Sequence, residues 1–205
     1  MTEKTFLDKV YDIDGPDGIK KLYSEWAASY EAEVIANGYA TPDRIAKALA
    51  SVTSDFTKPI LDYGCGTGLS GSSLKSNGFN KIIGADPSIE MLSHAKSKDV
   101  YAKLVEIDVT KPPPFDVGQF SSITAIGVIG AGAAPVEVFD ALFDLLTSGQ
   151  RLALSLNDHT LSVPEFPNRV AGVVENGRAK LIFEEFGDHL PGQNMSSMIY
   201  ILEKT

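Results

Sequence analysis

Cysteine, histidine and tryptophan are nearly missing from this chain: 205 residues hold one Cys, three His and one Trp. A lone thiol, Cys65, closes no internal disulfide, and His94, His159 and His189 do not fall with it at the spacing a zinc site needs. No metal is expected. No apolar run approaches the roughly 18 residues needed to cross a bilayer, and residues 1–10 have no apolar core of the signal-peptide kind. A membrane span is therefore excluded, and the cytoplasm is the expected location. Positive charge is also scarce, with 18 Lys and Arg against 27 Asp and Glu for a formal net charge of −9. Such a surface repels phosphate polyanions and anionic headgroups, which points away from nucleic-acid and membrane partners and toward a small-molecule substrate. Internal repeats, low-complexity tracts and the Gly-x-Ser-x-Gly elbow of serine hydrolases are absent too.

What is present is globular: 43% hydrophobic and 22% charged residues, in a chain long enough to bury one sizeable core. One domain over residues 1–205 is expected, with a helical cap at 1–50 on an α/β core at 58–205. In the cap, Leu22, Trp26, Tyr30 and Val34, then Ile45 and Leu49, recur at helical spacing, and Asn37-Gly38 and Thr41-Pro42-Asp43 interrupt them. Two helices follow, the second with Thr41 as N-cap and Pro42 in its first turn. From residue 60 the pattern changes to short apolar runs at 60–63, 81–85, 103–107, 122–126 and 151–156, with helices drawn at 70–76, 89–97 and 135–146. That alternation is the signature of βαβ units on a parallel sheet. The tail reads differently, as strands at 179–186 and 196–203 joined by a loop at 187–194, an antiparallel pair.

The most informative stretch is a buried strand that runs through Asp62 into Gly64, Gly66 and Gly68. Alternating glycines remove Cβ atoms where a tight turn brings backbone N–H groups against a ligand at the strand's carboxyl end. A dinucleotide fingerprint would need glycine at position 69, which is Leu69, and Asp62 would meet a pyrophosphate unfavourably. An NAD(P)-dependent oxidoreductase is thus the weaker alternative. A ligand with an ammonium group would instead gain a charge-assisted contact from Asp62.

The order Asp62, Gly64, Gly66, Gly68 resembles the first motif of the class I S-adenosylmethionine-dependent methyltransferases. The strand ends that follow match in turn. Asp86, followed by Pro87 and Met91, stands where the family's ribose-binding carboxylate stands, and Asp108 and Val109 stand at the adenine position. Ile126 ends the fourth strand where family members contact the adenosine. The segment around Trp26 and Tyr30 is similar to the aromatic cap that closes over the cofactor, and the run to Pro42 looks most like the methyltransferase-like 27 (Williams–Beuren region 27) subgroup. The resemblance implies a Rossmann-like, doubly wound, seven-stranded sheet, mostly parallel with an antiparallel C-terminal hairpin. It also implies S-adenosylmethionine as cofactor, held by Tyr30, Asp62, Gly64, Cys65, Gly66, Gly68, Asp86, Pro87, Met91, Asp108, Val109 and Ile126.

Methyl transfer from a sulfonium needs an acceptor collinear with the methyl carbon, so positioning supplies much of the catalysis and a base is optional. His159, just past the fifth strand, is the candidate general base. His94 and His189 are expected at the solvated surface, and Cys65 is assigned no covalent chemistry. The fourth strand lacks the Asn/Asp-Pro-Pro-Tyr segment of amino-group DNA methyltransferases. With the acidic charge, this favours a small-molecule acceptor; a cofactor-binding module without catalysis is the remaining alternative.

Overall fold

The computed structural model describes Gly18 and residues 29–130 and 132–205, and its organisation follows from one strand. β1 (Ile60–Tyr63) buries all four of its residues, as only an interior strand covered on both faces does. It pairs in parallel with β2 (Ile82–Asp86) on one side and β4 (Ser122–Ala125) on the other. β3 (Lys103–Glu106) lies outside β2, and β5 (Arg151–Asn157) outside β4. Beyond β5 come β7 (Met195–Lys204) and then β6 (Ala179–Leu190), both pairings antiparallel. The order β3-β2-β1-β4-β5-β7-β6 is the expected seven-stranded, mostly parallel Rossmann-like sheet. Its direction of winding reverses between β1 and β4, where open α/β sheets leave a crevice at the carboxyl ends of the strands.

The helices cover the sheet according to strand alternation. Ile60 and Ile82 point to one face, against Ile45 and Leu49 of α2 (Thr41–Ser51) and Leu74 of α3 (Leu69–Ser76). Leu61, Ile123 and Leu152 point to the other, against Phe139, Leu142 and Phe143 of α5 (Glu137–Asp144). The remaining helices are α1 (Tyr30–Ala36), α4 (Ile89–Ser97), α6 (Asp158–Leu161) and α7 (Glu165–Glu175). The sequence pattern did not predict α6 and α7. α6 starts where Asn157 Oδ1 accepts the Thr160 N–H at 2.9 Å, and α7 buries Phe166, Val170 and Val173. Leu22 and Trp26 lie outside the described residues. Among those described, no helix is long and apolar enough to cross a membrane.

Two expectations about the region joining α2 to the C-terminal hairpin are corrected. Thr41 does not cap α2: Ala40 holds that position, and the Thr41 hydroxyl lies 2.7 Å from His189 Nδ1 and 3.1 Å from Ser197 Oγ. The first half of the segment 187–194 is strand, since β6 continues to Leu190 and only Pro191–Gln193 and Asn194 turn the chain. His189 is consequently buried, 7% exposed, with its ring edge-on to Tyr39. Arg44 closes the same junction, donating to Ser197 Oγ at 3.0 Å and pairing with Glu185.

Burial lowers the His189 pKa to about 4, with Arg44 acting the same way and Asp158 opposing. A buried histidine of this kind is neutral in the folded chain and takes its proton only after unfolding, so stability is intact above about pH 6.5 and is lost as pH falls toward 4. The expected loss is about 3 kcal/mol across that window. Urea melts of the parent and of His189→Gln between pH 7 and 4 check it: the parent's midpoint should fall more steeply, and parallel profiles would refute the assignment.

Candidate functional site

The carboxyl ends of β1, β2 and β4 open on a cavity of about 370 Å³. Its first wall is the turn after β1. Gly64 and Gly66 take φ values of +70° and +52°, which glycine alone adopts at little cost. A Cβ on Gly64 would stand 2.3 Å from Val128 Cγ2, whereas one on Gly66 would meet nothing within 4 Å. Gly64 therefore admits the Val128 wall, and Gly66 leaves an open cradle.

Asp86 closes the second side. Its Oδ2 accepts the Gly66 N–H at 2.8 Å and its Oδ1 the Ser88 N–H at 2.9 Å, which ties the turn after β1 to the end of β2. The N-cap of α4 is Ser88, whose hydroxyl accepts the Met91 N–H, so Asp86 is not a helix cap. A carboxylate accepts up to about four hydrogen bonds, and this one borders the cavity. Tyr30, Pro87, Met91, Val109 and Ile126 complete the predicted residues found in the lining.

Four of the residues expected to hold the cofactor do not border the cavity. Asp62 is 1% exposed, because alternation along β1 turns it toward α3 and β4. There its oxygens accept from Ser70 Oγ at 2.6 Å, Tyr101 Oη at 2.7 Å and Thr124 Oγ1 at 2.9 Å. Burial raises its pKa, against which the three hydroxyls act. Cys65 is buried beside it, its thiol pKa pushed far up by burial and the Asp62 charge. Gly68 begins α3 and faces α4, where a Cβ would press on Ala95 and Tyr101. Asp108 is exposed and turned back on its own loop, paired with Lys111 and accepting from Thr110, contacts that hold its carboxyl below the usual range. His159 sits exposed in α6 and does not line the cavity either.

The lining adds residues that the motif did not point to. Tyr63 and Ile107 come from the face of the sheet opposite Asp62, and Gly127, Val128, Ala133, Ala134, Pro135 and Val138 form an apolar wall after β4. Period-2 alternation within β1 was the available signal for Tyr63. The segment after β4 has no periodicity to read.

A family model described as a methyltransferase domain matches residues 60–149. Methyltransferase-like protein 27 of Homo sapiens is 31% identical over 134 residues, 62% of this chain and 54% of that protein. The 18S rRNA (guanine-N(7))-methyltransferase of Bos taurus is 30% identical over 119 residues, 53% of this chain and 42% of its own length. The chain thus spans about half the length of the curated relatives it matches. Among solved structures, a chain of the complex between the Haloferax volcanii Trm112 methyltransferase activator and a methyltransferase aligns with a TM-score of 0.65 at 13% identity, covering 87% of this chain and 96% of that one.

These relatives correct the expectation of a small-molecule substrate with no nucleic-acid partner. A protein named for 18S rRNA shares this core, and a fold neighbour is held in a protein complex, so the net charge of −9 does not exclude such partners. Net charge averages over the whole surface, whereas an acceptor is recognised by a local patch or by elements outside the shared core. The sheet order, the glycine turn and the family match agree on a methyltransferase domain over residues 60–149.

Proposed function

We propose that the chain transfers a methyl group from S-adenosylmethionine bound in the cavity after β1. The observation that carries this reading is the joining of an open glycine cradle at Gly66 to the Asp86 carboxylate within one cavity. When bound, the cofactor supplies an electrophilic methyl group on a sulfonium. Asp86 is placed to accept the two ribose hydroxyls, and Met91, Ile107 and Val109 offer an apolar slot for adenine. The methionine end then lies along Gly64 and Gly66, with Tyr30 of α1 closing over it. A salt bridge from Lys98, just past α4, to Glu31 of α1, 2.8 Å long, holds that helix in place. Val128, Ala133 and Ala134 wall the side left for an acceptor, where exclusion of water and in-line orientation do most of the catalytic work. A cytoplasmic setting belongs to the same proposal, supported by the single buried thiol.

Purified protein is expected to bind S-adenosylhomocysteine with a micromolar dissociation constant and to melt several degrees higher when saturated, since the ligand favours only the folded state. Calorimetry and thermal shift measure both. Heat and a shift with NADH, and neither with S-adenosylhomocysteine, would reassign the cavity to an oxidoreductase.

A further inference from the structure

Asp62 and Tyr63 are neighbours on β1 and point to opposite faces of the sheet. The cavity lies largely on the Tyr63 side: Ile107, Val128 and Val138 belong to or pack on the apolar cluster that holds Tyr63. Tyr63 lines the cavity, is 5% exposed, and its hydroxyl has no hydrogen-bond partner among the described residues. The hydroxyl is not among the sealed, unsatisfied polar atoms of the described residues, so it opens on the cavity, where a ligand can meet it. The ring alone does not account for a tyrosine here. Burial and the Asp86 carboxylate both raise the phenol's pKa, so it is a hydrogen-bond donor at neutral pH.

We infer that Tyr63 is a further cofactor-recognition residue, its phenol O–H donating to an acceptor atom on the nucleoside half of the bound cofactor. The inference rests on the cavity being the cofactor site. It is carried by position: Tyr63 ends β1 opposite Ala85, one residue before Asp86 on β2, and shares its apolar cluster with Ile107, so its ring lies beside the residues placed for ribose and adenine. A nucleoside offers acceptors there, in its ribose oxygens and ring nitrogens. Asp86 only accepts, so Tyr63 supplies the complementary donor.

Tyr63→Phe in the full chain tests this, by calorimetry with S-adenosylhomocysteine and by melting without ligand. The dissociation constant should rise about tenfold, the scale of one lost hydrogen bond. The unliganded melting temperature should equal the parent's or exceed it, because no protein partner is left unpaired. A variant that binds as tightly as the parent overturns the inference. So does weaker binding with an unliganded melting temperature more than about 3 °C below the parent's, since a shift of that size marks a structural role. A parent that takes up no S-adenosylhomocysteine overturns the reading of the cavity and this inference with it. If the parent binds, that reading stands whichever way the variant goes.

Discussion

Replacing Asp62 by alanine is expected to cost about 4 kcal/mol of folding stability, lowering the melting temperature by about 10 °C in a chain of this size. The carboxylate is the common acceptor for three hydroxyls brought from α3, β4 and the segment before β3. Without it, the Tyr101 hydroxyl keeps only the Gly71 N–H it accepts and loses its own acceptor, beside the buried Asp62 position. Thr124 suffers less, since it also reaches the Leu61 carbonyl at 3.3 Å. Asp62→Asn keeps an acceptor oxygen and should be milder. The affinity of the surviving folded protein for S-adenosylhomocysteine should change far less than the stability, because Asp62 does not border the cavity. Denaturant melts paired with calorimetry decide the matter. A large loss of affinity at unchanged stability would return Asp62 to the role of ammonium partner.

Asp86→Ala should behave in the opposite way. Affinity for S-adenosylhomocysteine is expected to fall at least about a hundredfold, about 3 kcal/mol, from the loss of a charged acceptor and of the anchor for the glycine turn. The N–H groups of Gly66 and Ser88 lose their acceptor together, so the cradle loosens where the ligand must lie flat. Stability should drop only modestly, because both N–H groups sit near the cavity and can turn to water. Binding within threefold of the parent would show that Asp86 only staples the turn to β2.

The different fates of these two aspartates show what the sequence made legible. Alternating glycines after a strand, and an acid at the end of the next strand, are local patterns whose geometry follows directly from φ angles and strand direction. Gly64, Gly66 and Asp86 accordingly border one cavity. Side-chain direction is a separate matter: Asp62 carries the motif's charge, yet the pleat sends it into a buried network whose partners, Tyr101 and Thr124, lie 39 and 62 residues away. The burial of His189 is non-local in the same way, since it depends on the contact with Thr41 across 148 residues. α7 was hidden differently. Its apolar spacing at Phe166, Val170 and Val173 is helical, but Pro164 and Pro167 on either side of its start read as loop. Asp108 fits its motif position and still turns to its neighbours Thr110 and Lys111, a competition between local and ligand contacts that spacing does not settle.

The placement of β7 between β5 and β6 also fixes an order of assembly. Within the sheet β6 touches only β7, and β7 follows it along the chain. While the chain is being synthesised, β6 therefore has no strand partner until the residues after it arrive, and the outer edge of β5 stays open over the same interval. The two strands pair with each other across the tight turn at Pro191–Gln193, so they join the sheet edge as one hairpin. Loss of β7 alone would remove two strands and uncover α2, so damage at residues 195–204 would unmake the junction that holds His189 and Arg44 at the far end of the sequence.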